Sequence, residues 1–220
     1  MFRIAIDGTA SAGKGSIARG VARELNLPYV DTGSMYRSIA LMVLEANKDC
    51  HDVKDVLSVL ENVHFDFTWK DDELETWLNG RNVSSKIRSK EVGAMASVVS
   101  IFPPVRECLS ALQQSYAKRE SLVMDGRDIG TVIIPDAELK IFIDADVDER
   151  ARRRCDELQK KGENVLVAEI RQDLVERDHR DRNRAIAPLK QADDAKLLDT
   201  THLTISDGIK QIVGWVELVS

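Results

Sequence analysis

The chain has 220 residues, 43% of them hydrophobic, and a formal net charge of −6. That length suits one α/β domain with small insertions, and the apolar content supports a sizeable core, which excludes a disordered chain. The acidic balance argues against general binding to nucleic acid or to a membrane surface, so any anion site must come from local arginine clusters.

Cys50, Cys108 and Cys155 are scattered, odd in number and without metal-ligand spacing. They read as reduced thiols, which fits a cytosolic setting. No apolar run approaches the roughly 20 residues that span a bilayer. The first apolar run starts within a few residues of Met1, leaving no room for a signal peptide. A cytoplasmic monomer that handles small molecules, with no nucleic-acid and no membrane partner, is the expectation.

In chain order, the first predicted strand is Arg3–Asp7, followed by Gly8-Thr9-Ala10-Ser11-Ala12-Gly13-Lys14-Gly15-Ser16 and a helical pattern through Ile17, Ala18, Val21, Ala22 and Leu25. Strand, glycine-rich turn, lysine, hydroxyl and helix together predict a phosphate cradle. Successive backbone N–H groups converge on an anion, and the helix N-terminus adds its positive dipole end. Lys14 supplies a cation for the outer phosphates, and a hydroxyl can orient Mg²⁺. The pattern departs from G-x-x-x-x-G-K-[ST] in one detail: Gly15 takes the hydroxyl position and Ser16 follows it. This Gly-Lys-Gly-Ser ending is similar to that of nucleoside monophosphate kinases rather than switch GTPases.

The second predicted strand, Pro28–Val30, leads into Asp31-Thr32-Gly33-Ser34-Met35-Tyr36-Arg37. A turn after a parallel strand lies at the carboxyl edge of the sheet, where ligands bind. Arg37 could hold a phosphate there, with Thr32 and Tyr36 adding hydroxyls, although an Asx turn would read the same way. The α/β rhythm then breaks. His64–Trp69 and Glu73–Leu78 alternate with period two, and Asn79-Gly80 supplies a hairpin turn before Arg81-Asn82-Val83. A β-containing lobe over residues 34–102 is expected, with Trp69 and Trp77 in its core rather than serving as base-stacking platforms, the alternative reading.

Leu122–Asp125 is the third predicted core strand, ending in Asp125-Gly126-Arg127-Asp128-Ile129-Gly130-Thr131. An aspartate closing a buried strand beside such a cradle can orient Mg²⁺ through water, and Arg127 would point into the same cleft. Asp128 has no obvious partner in sequence, and a turn held by an Asp–Arg pair is the structural alternative. Leu139–Asp144 is the fourth strand. Two helical patterns follow, Asp148–Gln159 and Val165–Arg184, separated by a possible hinge at Lys160–Asn164. The first carries Glu149-Arg150-Ala151-Arg152-Arg153-Arg154, whose arginines could reach a transferring phosphoryl group or merely be solvated. The second carries Arg177, Asp181 and Arg184 at i, i+4 and i+7, on one face suited to a phosphate and a sugar hydroxyl. A salt-bridged solvated face is the alternative, and His179 reads as a solvated neighbour. Lys196–Asp199 is the last strand. The final helix has Thr204 as N-cap and Asp207 three places on.

Five motifs in order resemble the bacterial cytidylate kinase family. They are Ile6-Asp7-Gly8 with Ala12-Gly13-Lys14-Gly15; Asp31-Thr32-Gly33 with Tyr36-Arg37; Phe102-Pro103 with Val105-Arg106-Glu107; Asp125-Gly126-Arg127-Asp128-Ile129-Gly130-Thr131-Val132; and Arg180-Asp181-Arg182-Asn183-Arg184 with Ala187-Pro188-Leu189. The resemblance implies a three-layer P-loop α/β fold with a five-stranded parallel core sheet, a monophosphate-binding β insertion and a short helical lid. It divides the chain into a core (1–33, 103–149 and 185–220), a lobe (34–102) and a lid with its flanking helices (150–184).

The implied reaction moves the γ-phosphoryl of ATP to CMP or dCMP, with Mg²⁺ as cofactor. Kinases of UMP or AMP, and a non-catalytic nucleotide switch, are the competing readings. By resemblance the loop Gly8–Ser16 holds ATP, and Ser16 with Asp125 (through water) serves the metal. Arg37, Arg127 and Arg184 hold the acceptor phosphate. Ser97, Arg106 and Asp128 read cytosine, Arg177 and Asp181 face the sugar, Thr32 and Tyr36 line the pocket, and Asp125 also belongs to the substrate-binding set. Lys14, Arg127, Arg153 and Arg154 stabilise the migrating phosphoryl, with Arg150 a weaker candidate. Thr9 stands where the family commonly has proline and is expected to loosen the turn slightly. Ser16 replaces a common threonine and keeps its hydroxyl.

Overall fold

The computed structural model describes residues 1–61, 63–70, 73–160 and 162–218. The elements run β1 (Arg3–Gly8), α1 (Lys14–Glu24), β2 (Tyr29–Asp31), α2 (Thr32–Glu45) and α3 (Val53–Leu57). A meander follows, β3 (Phe65–Lys70), β4 (Glu73–Leu78) and β5 (Arg81–Asn82), then α4 (Lys90–Val99) and α5 (Pro103–Ala117). The chain continues through β6 (Leu122–Gly126), β7 (Leu139–Asp144), α6 (Val147–Lys160), α7 (Val167–Asn183), β8 (Lys196–Asp199) and α8 (Ile205–Glu217). Two compact units divide it: Met1–Val30 with Ala117–Ser220, and Asp31–Tyr116.

The first unit is built on a five-stranded parallel sheet in the order β2-β6-β1-β7-β8, with helices on both faces. The five strands foreseen in the sequence are its strands, within a residue or two. Ile4, Ala5 and Ile6 of central β1 are fully buried, as an unbroken apolar run between two helical layers requires. From β1 the chain first builds one side of the sheet, β2 and β6, and then the other, β7 and β8. This makes the carboxyl end of β1 a topological switch point, the place where open α/β sheets take ligands. α1 and α8 pack closely because both contact positions are glycines: a Cβ on Gly20 would lie 2.1 Å from Ile209, and one on Gly208 would lie 2.8 Å from Ile17. The Thr204–Asp207 capping box is formed at the start of α8. α6 and α7 share their own small core of Ala151, Cys155, Leu158, Val165, Ile170 and Leu174. The predicted hinge lies between them. Gly162 there has φ +84°, a left-handed conformation that favours glycine, while Lys161 lies outside the described residues.

The second unit packs α2, α4 and α5 with the meander around Met35, Ile39, Val43, Phe65, Val83 and Leu109. The Asn79-Gly80 turn has φ of 50° and 75°, the left-handed pair a tight hairpin needs. The expected tryptophan core is corrected. Phe65 lies opposite Leu78 on the buried face, so Asp66 and Trp77, one residue along, point to the other side. Trp77 donates its indole N–H to Thr68 Oγ1 at 3.0 Å. Trp69 shares the inner face but stands at the far end of the hairpin and is 40% exposed. Phe65, Leu74 and Leu78 fill the positions expected of the tryptophans.

Candidate active site

The loop between β1 and α1 is held from outside by donors that bind its carbonyls. Thr200 Oγ1 donates to Ala12 O at 2.8 Å, and Arg150 Nη1 donates to Ala10 O at 3.1 Å. Carbonyls committed outward leave the loop's amides as the groups to face an anion. Gly8 is required by close approach, since a Cβ there would lie 2.0 Å from Ile143 O. Gly13 caps α1 with φ 82°, which begins the helix at Lys14 and aims its N-terminus at the loop. Thr9 does not loosen the turn. Its N–H donates to Ile143 O at 3.2 Å and its hydroxyl to Asp144 Oδ1 at 2.6 Å, and a proline could make neither bond. Ser16 is exposed on the first turn of α1.

Lys14, buried at the head of α1, bonds Asp125 Oδ2 at 2.5 Å, and the Tyr29 hydroxyl donates to Asp125 Oδ1 at 3.0 Å. The turn after β6 is fixed by a residue the sequence reading left without a role. Asp7 accepts from Ile129 N and Gly130 N, both at 2.8 Å, clamping the turn that displays Asp128. Burial pushes the Asp7 carboxyl up to about 6, against the pull of those two amides. Its only sequence signal was its place at the end of a buried strand.

The charged positions of α7 converge with that turn. Arg127 Nε donates to Asp181 Oδ2 at 3.0 Å, and Arg184 Nη2 donates to Asp128 Oδ1 at 3.2 Å. Asp128, without a partner in sequence, therefore gains one in space. Burial opposes the Arg127 charge, but Asp181, Asp125 and Asp178 outweigh it and hold the guanidinium above its ordinary pKa. Burial likewise resists the Asp181 carboxylate, yet Arg127, Arg177 and Arg184 bring it below the usual range. A guanidinium carries five donors, so one carboxylate partner leaves capacity for a phosphate.

The α6 arginines part ways. Arg150 is buried, with Nε on Ala145 O at 2.9 Å and an ion pair to Asp178 Oδ2 at 2.7 Å. That corrects its tentative place on the migrating phosphoryl: it braces the loop instead. Arg153 lies across the loop before α8, donating to Thr200 O at 2.7 Å and to Glu149 Oε1 at 2.8 Å. Arg154 pairs with Glu157 at 2.7 Å. A cavity of about 380 Å³ opens beside the phosphate loop, lined by Gly13, Arg153, His202, Leu203, Thr204 and Ile205 among others. Of these the sequence reading gave a site role only to Gly13 and Arg153, and to Thr204 only a capping role.

In the second unit, Asp31 caps α2 through Ser34 N at 3.1 Å, and the helix carries Thr32, Tyr36 and Arg37. Arg37 Nη1 donates to Ile87 O at 3.2 Å and lies over Gly93, where a Cβ would come within 2.9 Å of the guanidinium. The Arg106 guanidinium sits 5.7 Å from the centre of the Tyr36 ring and donates to Ser100 O at 3.3 Å. The Ser97 hydroxyl is buried and has no hydrogen-bond partner among the described residues. A buried polar atom of that kind is costly unless a ligand satisfies it.

The family model for cytidylate kinase matches residues 4–218. The chain belongs to the cytidylate kinase family. It is 42% identical over 212 residues to the cytidylate kinase of Lactobacillus johnsonii, covering 96% of this chain and 92% of that one. It is 44% identical over 209 residues to the cytidylate kinase of Bacteroides fragilis, covering 93% and 91%. Among solved structures, shikimate kinase from Bacteroides thetaiotaomicron shares the fold at a TM-score of 0.50 and 13% identity, over 98% of each chain. As a cytidylate kinase family fold, the five-stranded sheet thus carries the P-loop at its switch point, with the Asp125 and Asp128 turn on the neighbouring strand.

Proposed function

We infer that this enzyme transfers the γ-phosphoryl group of ATP to CMP or dCMP, giving ADP and CDP or dCDP. Family membership over nearly the whole chain supports the activity. The observation that carries the site assignment is the phosphate loop with Lys14 and Asp125 paired at the mouth of β1 and β6. In this reading the loop Gly8–Ser16 cradles the triphosphate, and the cavity beside Gly13 takes the adenosine. Lys14, Arg127, Arg153 and Arg154 stabilise charge on the moving phosphoryl. Arg37, Arg127 and Arg184 hold the acceptor phosphate, Arg177 and Asp181 face the sugar, and Thr32 and Tyr36 line the acceptor pocket.

The acceptor oxygen of CMP is already an anion, so no side chain needs to deprotonate it. Positioning and charge stabilisation suffice. Cytosine offers an N4 donor beside N3 and O2 acceptors. Asp128 and the unsatisfied Ser97 hydroxyl accept from N4, and Arg106 donates to N3 or O2. Uracil inverts this pattern at N3 and C4 and would strand buried polar groups.

No cluster of three or more His, Cys, Asp or Glu side chains able to hold a metal exists among the described residues. The Asp125 carboxylate in β6 and the Ser16 hydroxyl on the first turn of α1 fit Mg²⁺, which keeps several waters and binds through one or two carboxylates and the substrate's phosphates. Asp125 (through water) and Ser16 would hold it. When bound, Mg²⁺ neutralises charge on the β- and γ-phosphate oxygens.

The free cysteines support a cytoplasmic setting and the acidic net charge a protein that binds no nucleic acid, and we propose a monomer. No single helix among the described residues is long and apolar enough to cross a membrane. A panel of CMP, dCMP, UMP and AMP with ATP tests the reading. CMP or dCMP should lead by kcat/KM, and a lead by UMP or AMP would overturn the base-reading roles of Ser97, Arg106 and Asp128.

A further inference from the structure

The P-loop pattern places a Ser or Thr hydroxyl directly after its lysine, and this chain has Gly15 there. The space beside Gly15 is not featureless. A Cβ on Gly15 would lie 3.7 Å from Asp125 Oδ2 and 3.8 Å from the Tyr29 hydroxyl oxygen. Tyr29 is 3% exposed, and its hydroxyl donates to Asp125 Oδ1. A phenol hydroxyl from β2 therefore reaches the region that the usual Ser or Thr side chain would enter.

We propose that the Tyr29 hydroxyl stands in for the side chain Gly15 lacks, acting as a positioning residue that aims the Asp125 carboxylate at the hydrated cation. This rests on the assignment of Mg²⁺ to Asp125 and Ser16. Asp125 Oδ2 bonds Lys14 in this structure, while Oδ1 takes the phenol. When Lys14 turns to the nucleotide phosphates, its bond to Oδ2 is given up. A carboxylate held at one oxygen by a rigid buried ring keeps its rotation about Cβ–Cγ and leaves Oδ2 aimed for a metal-bound water. Partners of this outer kind orient the groups that hold a metal, and losing one typically weakens metal affinity 10- to 100-fold.

The test is Mn²⁺ binding followed by electron paramagnetic resonance, with a non-hydrolysable ATP analogue bound to the full chain. Tyr29→Phe should weaken Mn²⁺ about tenfold while leaving CMP affinity within about twofold. Adding Gly15→Ser should recover most of the loss, because a Cβ at residue 15 meets its neighbours only at ordinary contact distance. Mn²⁺ affinity unchanged in Tyr29→Phe would overturn the inference. So would equal losses of CMP and Mn²⁺ affinity, or a double variant no better than Tyr29→Phe. A wild-type enzyme that fails to bind Mn²⁺ beside the analogue would instead remove the metal assignment itself, and this inference with it.

Discussion

Asp7→Asn isolates the electrostatic cost of the clamp beneath the turn after β6. In the native protein the carboxyl is 4% exposed and titrates at about 6, against an ordinary value of 3.8. The folded state therefore favours the protonated form. The stabilisation that Asp7 lends is full below its unfolded pKa and is lost as pH rises through about 6. At about 1.4 kcal/mol per pH unit, the gap between the two values amounts to about 3 kcal/mol.

Asparagine abolishes that titration. Its oxygen can accept one of the two amides, while its NH₂ confronts the other, a mismatch worth about 1–3 kcal/mol. At pH 7 the mismatch and the relieved burial of charge roughly offset, so the two proteins should differ little in stability. At pH 4, just above the unfolded pKa, the wild type should lead by about 2.4 kcal/mol more than it does at pH 7. Urea unfolding of both proteins at pH 4, 5, 6 and 7 measures this, because every other carboxylate titrates in both and cancels in the difference. A difference that stays flat within about 1 kcal/mol over that range, or that moves the other way, would refute the reasoning.

Lys14→Ala should lower kcat by about 10²–10³-fold while the far-ultraviolet circular dichroism stays native, since Lys14 acts on phosphate charge. Unchanged turnover would remove the cradle assignment. Ser97→Ala should raise the KM for CMP and narrow the preference for CMP over UMP, with the KM for ATP unmoved; loss of ATP binding instead would show that Ser97 does not read the base. Arg150→Met should cost about 2–4 kcal/mol in urea unfolding, because it strands the half-buried Asp178 carboxylate and the loop carbonyl of Ala10. Arg154→Ala, which breaks only a partly exposed pair one turn apart, should cost less than about 1 kcal/mol. Equal effects of those two would contradict the division of the α6 arginines. Thr204→Ala should lose about 1 kcal/mol through its cap, read from the thermal midpoint.

The framework was legible because its signals are local. Each sheet strand is a short apolar run ended by a turn residue, and the Asn79-Gly80 turn and the Thr204–Asp207 cap depend on residues within a few places of one another. The phosphate loop was equally plain, since its chemistry lies in nine consecutive residues. The misses share a different property. Trp77 was placed on the wrong face because alternation gives the period of a strand but not its phase, and a phase error of one residue inverts every side chain. Arg150 was indistinguishable from Arg152, Arg153 and Arg154 in sequence, because its partners are Ala10 and Asp178, far along the chain. Tyr29 and Asp7 were given no role, since each acts on a strand or turn about a hundred residues away.

Those distant partners explain how an acidic chain can prepare sites for polyanions. In the first unit each basic group assigned to phosphate and buried in the sheet's carboxyl edge is matched to a carboxylate: Lys14 to Asp125, Arg127 to Asp181, and Arg184 to Asp128. An unmatched buried cation would be costly to fold, so the carboxylates make the cluster tolerable without ligand. For Arg127 and Arg184 the same pairing fixes the cation in place before a phosphate arrives, which spares the ordering that a flexible surface side chain would undergo on binding. The braces extend this order to the loop itself. Arg150 ties Ala10 to Asp178, and Asp178 lies on the same helix as Asp181, which holds Arg127. Charge-assisted bonds thus tie the phosphate loop, through Arg150, to the same helix that holds Arg127 through Asp181. On this argument the stability of the first unit and the readiness of its site rest on the same contacts, and a variant that loosens Arg150 should disturb both together.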